Sequence, residues 1–144
     1  MIKMDPKLAQ RVWQRVQGEA DLREAPQFLT LIYREQALEN DCRRLAAALP
    51  RKAAPLKKIA DAASARAVCL RGMGYLDQGS RIKTSLPAKK TEPTESVLRR
   101  CCGQCANAIA EYDRRSDEMQ YGCVFSQMAQ EHRAHYRYFL ELLG

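Results

Sequence analysis

The chain has 144 residues and 16.4 kDa, enough for one domain and too little for two independent cores. Hydrophobic residues make up 46% and charged residues 28%, ordinary globular proportions that exclude wholesale disorder and a collagen-like chain. The net charge is +7, and no run of about 18 apolar residues occurs, which excludes a transmembrane helix. The opening Met1-Ile2-Lys3-Met4-Asp5-Pro6 lacks the apolar stretch of an export signal, so a cytoplasmic location is expected.

Gly and Pro cut the sequence into helix-length pieces, and strand alternation is nearly absent. A short first helix is expected from Asp5, with Pro6 at its first position, to Gly18. Its Leu8, Val12, Trp13 and Val16 form one apolar stripe that must cover something, its own bundle or a second copy in a homodimer. Residues 1–25 then form an N-terminal helix and linker, and 26–144 an all-α four-helix bundle.

The second helix is expected over about 26–49, with Leu31, Glu35, Leu38, Cys42, Leu45 and Leu49 at alternating spacings of four and three. The third runs over about 55–76 on a seam of Leu56, Ile59, Ala63, Arg66, Leu70 and Met73. Residues 77–93 are too long and irregular for a tight turn, and a structureless stretch of this length needs a job. Crossing the length of the bundle, so that the next helix runs parallel to its predecessor, is such a job. The fourth helix starts near Thr94 as N-cap and ends near Arg115, with Leu98, Cys101, Cys105, Ala108 and Tyr112 inward. The fifth is expected from Ser116 to Leu143, on Tyr121, Phe125, Met128, His132, His135, Phe139 and Leu142.

Residues 51–100 hold 12 Lys/Arg against 4 Asp/Glu, while the rest of the chain holds 12 against 13. Few aromatics accompany this charge, and Lys83, Lys89 and Lys90 fall in the crossover, so no specific nucleic-acid site is expected. The six cysteines (42, 69, 101, 102, 105 and 123) are expected as reduced thiols. Cys102-Gly-Gln-Cys105 is a C-x-x-C with no preceding strand and no answering pair, so it does not read as a zinc ribbon.

Five seam positions are polar or ligand-bearing: Glu35, Arg66, Cys105, His132 and His135. They sit near the middle of four different helices, where bundles build metal and cofactor sites. With this crossover and these midpoint residues, the chain resembles the ferritin-like superfamily in its rubrerythrin-type branch. The last helix carries the resemblance best, through Phe125, Ala129, His132, His135, Phe139, Leu142 and Leu143.

That family holds two irons through a Glu on the first and third main helices and a Glu-x-x-His on the second and fourth. Carried across, Glu35 and His135 are kept, and so is the tyrosine at Tyr112. Ala63 and Arg66 stand where the second helix would give Glu and His, Cys105 where the third gives Glu, and His132 where the fourth gives Glu. The resemblance therefore implies a degenerate di-iron site, a bundle without oxygen chemistry and a binding or scaffolding role with an unknown protein partner. Glu35 and Arg66 are expected as a buried ion pair that replaces the metal. The alternatives are one zinc, iron or copper ion on Cys105, His132 and His135 with Glu35, or a residual rubrerythrin-like oxidoreductase. With or without metal, Cys105, His132 and His135 are expected to point into one shared pocket on the second hairpin.

Overall fold

The structure is a computed structural model that describes residues 26–78 and 91–144. The helix expected over 5–18 and most of the expected crossover lie outside the described residues. The described residues form four helices, α1 (Pro26–Ala48), α2 (Ala53–Gln78), α3 (Thr94–Arg115) and α4 (Gly122–Leu143), with a 3-10 turn at Pro50–Lys52. No strand occurs among the described residues, and none of the helices is long and apolar enough to cross a membrane.

Contacts between side chains set the helix directions. Glu35 and Arg43 of α1 meet Arg66 and Asp61 of α2, so the partners' numbers fall as α1 rises and the pair is antiparallel. Asp41 meets Arg100 and Glu35 meets Tyr112, so α3 is antiparallel to α1 as well. Phe28 touches Tyr121 while Glu35 touches His132, so α4 runs with α1. It follows that α2 and α3 are parallel, and that α2 ends where α3 does not begin, at opposite ends of a four-helix bundle. That is the arrangement the crossover argument expected.

The core has two lobes above and below the midpoint. One gathers Phe28, Leu31, Ile32, Leu70, Tyr112 and Phe125; the other gathers Leu38, Leu45, Leu56, Cys101, Cys105 and Phe139. Every expected seam residue of α2 and α3 is buried. Leu49, Tyr121 and Leu142, at the ends of seams, are half-buried, because the last turn of a bundle faces water on one side.

The helix ends correct the sequence reading in three places. Pro50 does not simply stop the chain; it starts the 3-10 turn, and α2 follows at Ala53. Pro55 then lies in the first turn of α2, where its missing N–H costs no helical bond. Thr94 is the first helical residue and not the cap, which is Pro93 in an extended conformation. Residues 116–121 are turn and not helix, because α3 must reverse before α4 can return. The reversal brings the backbone so close that a Cβ on Gly122 would lie 2.4 Å from the carbonyl oxygen of Ser116. Only glycine fits that approach.

Candidate functional site

Glu35, Arg66, Tyr112 and His132 come from four different helices and meet at the level between the two core lobes. Glu35 and Arg66 are 1% and 3% exposed, and His132 is 2% exposed. The Arg66 guanidinium brings Nε to 3.0 Å from Glu35 Oε1. Its N–H points off the oxygen, so this contact is charge pairing and not an aligned hydrogen bond. The other carboxylate oxygen, Oε2, accepts from the Tyr112 hydroxyl at 2.6 Å and from His132 Nε2 at 2.8 Å. Burial by itself pushes the Glu35 carboxyl up. The His132 hydrogen bond and charge, then Arg66 and Tyr112, outweigh burial and hold it below the usual carboxylate value.

Arg66 reaches further, with Nη1 donating to Glu131 Oε1 at 2.7 Å and to His135 Nε2 at 3.1 Å. Arginine can only donate, so His135 Nε2 must accept and the ring proton sits on Nδ1. His132 instead turns its Nε2 to the Glu35 carboxylate, to which it donates, and its buried Nδ1 has no partner. The two rings lie edge to face with centroids 5.6 Å apart.

Burial, the Arg66 charge and His132 together hold the His135 imidazole down at about 3. The unfolded chain takes up a proton at this ring near pH 6.5 and the native state does not, so its contribution makes stability fall as pH drops from about 6.5 towards 3. Urea unfolding at pH 7 and pH 5 is expected to show a loss of at most roughly 2 kcal/mol from this ring. Glu35 is held below its ordinary value, so it stays ionised at both pH 7 and pH 5. In His135→Asn the loss should shrink; an unchanged loss would mean that the ring is solvated and ordinary.

The expected shared pocket is not formed. His135 lines an outer groove of about 650 Å³ between α2 and α4, with Arg66, Cys69, Cys123, Met128 and Glu131, whereas His132 and Cys105 belong to the interior. Positions three apart on a helix are turned by about 60°, enough to aim His132 at Glu35 and His135 at α2. Among the described residues no three His, Cys, Asp or Glu side chains are grouped so as to hold a metal ion, so Glu35, Cys105, His132 and His135 do not converge on one centre.

All six cysteines are free thiols. Cys42 and Cys101 face each other across α1 and α3, and their hydrogen bond, then burial, push the Cys42 thiol well up. Burial does the same to Cys105, against the pull of Arg66. Protonated and sealed, Cys42 and Cys105 pack as small apolar groups.

Two features escaped the sequence reading. Glu131, the second carboxylate on Arg66, stands four residues before His135 on one face of α4, a spacing that could have flagged it. The other is a latch of α3 on α1. Asp41 is fully buried and takes both Nε (2.9 Å) and Nη2 (3.0 Å) of Arg100, which also binds Glu92. No periodicity points to it, because Asp41 and Arg100 lie beside their seams. No family model matches the chain, and neither the curated proteins nor the solved structures compared with it give a match.

Proposed function

We propose that the chain is a ferritin-like bundle of the rubrerythrin type that has given up di-iron chemistry and serves as a binding or scaffolding protein. The antiparallel hairpins, the parallel α2 and α3, and polar residues at mid-height of all four helices support this reading. Two irons would need bridging carboxylates, which hold the metals roughly 3.5–4 Å apart. The residues present do not fit them. Ala63 is apolar, Cys105 and His132 replace carboxylates, and Arg66 is a permanent cation.

The observation that carries the proposal is the set of charge and hydrogen-bond partners around Glu35. The one carboxylate that the family would spend on iron is taken by Arg66, Tyr112 and His132. A cation arriving there would meet a guanidinium already paired with its ligand. Elemental analysis of protein purified without chelator or added metal tests this. Substoichiometric iron, zinc and copper are expected. Two irons per chain would overturn the proposal, and one tightly held zinc or copper would replace it by a mononuclear site.

A further inference from the structure

The groove between α2 and α4 has a wall chemistry that the interior network does not explain. Ala62, Ala65 and Ala134 keep it wide, and Val124 and Met128 make it apolar. From Cys123 to His135 it runs for twelve residues of α4, about 18 Å. The groove has a polar end at Arg66, Glu131 and His135. Arg66 is sealed and pairs with both Glu35 and Glu131, so one guanidinium meets two carboxylates and the excess negative charge is presented at Glu131, 35% exposed.

We propose that the occupant of this groove is the chain's own segment 5–18. The segment lies outside the described residues, so the case rests on its sequence and on where it is tethered. Its fourteen residues would span about 21 Å as the helix the pattern predicts, a match to the groove. The stripe Leu8, Val12, Trp13 and Val16 supplies an apolar face to cover the apolar groove. Beside it stand Lys7, Arg11 and Arg15 at successive spacings of four, a basic edge that complements Glu131.

The tether also fits. The start of α1 lies at the same end of the bundle as the start of α4, since Phe28 packs on Tyr121. That is the end where Cys123 opens the groove. Residues 19–25 join the segment to α1, and seven residues reach up to about 25 Å. Such a short link gives the segment a high effective concentration at the groove, which favours it over a separate partner.

Trp13 is the only tryptophan of the 144 residues, and Cys69 and Cys123 are exposed thiols on the two walls, so the chain carries its own reporters. In the native protein Trp13 emission should be blue-shifted from that of the urea-unfolded chain. Ala65→Asp places a charge in the groove at an exposed site and should leave the bundle's circular dichroism unchanged. It should shift Trp13 emission to the red and speed maleimide labelling of Cys69 and Cys123 by about tenfold, which corresponds to about 1.4 kcal/mol of docking. Ala134→Asp on the opposite wall and Val12→Asp on the segment should do the same. Three results would overturn the proposal. One is native emission equal to that of the unfolded chain, and another is emission indifferent to all three variants. The third is a blue shift that fades on dilution while sedimentation shows a dimer, which would assign the groove to a second copy.

Discussion

Replacing Arg66 by Ala should lower the unfolding free energy by about 3–5 kcal/mol, the range for removing one partner of a buried pair. The reason is what remains behind. Glu35 is 1% exposed and cannot turn to water, while Glu131, 35% exposed, can. Glu35 keeps its donors from Tyr112 and His132, which argues for the lower end of the range. Arg66→Met, which keeps the apolar stem, separates the charge from the packing. The decisive measurement is the double-mutant cycle of Arg66→Met with Glu35→Gln by urea unfolding. Removing both charges together should cost at least about 1 kcal/mol less than the sum of the single changes. Strict additivity would mean that the two groups do not act as a pair, and the idea that Arg66 replaces a metal would fall with it.

Much of this arrangement was legible from spacing alone. The seams of α2 and α3 are buried residue by residue, because a helix that packs on two neighbours must repeat its apolar positions at three and four. Glu35, Arg66 and His132 stood out as interruptions of the seams of α1, α2 and α4, and a buried polar group has to find a partner. What was not legible is how the partners divide. The sequence placed His132 and His135 together as candidate ligands, yet one faces Glu35 and the other faces Arg66. A rotation of about 60° along one helix separates interior from groove, and only the neighbouring helices decide which side of it is buried. The reversal at 116–121 was missed for a related reason. Ser116 continues the helical pattern of α3, and only the approach of its carbonyl to Gly122 reveals the turn. The Asp41–Arg100 latch is off the seams altogether, so hydrophobic periodicity has no bearing on it.

Phe125→Ala should cost about 3–5 kcal/mol, as for other fully buried aromatics truncated to Ala. Phe125 is completely buried, its ring stacked on Tyr112 with centroids 5.9 Å apart and planes 19° from parallel. The Arg115 guanidinium also lies 5.7 Å from the ring centroid. Losing this ring therefore leaves a cavity and also frees one face of Tyr112, whose hydroxyl donates to Glu35. Packing and polar network are thus joined at one residue. Tyr112→Phe isolates the polar half, since it removes a donor from a buried carboxylate while keeping the ring, and should cost about 1–3 kcal/mol. If Phe125 holds Tyr112 on Glu35, the cost of Tyr112→Phe should be smaller in the Phe125→Ala background than in the native chain. Equal costs in both backgrounds would show that the ring merely fills space and that the network at Glu35 stands without it.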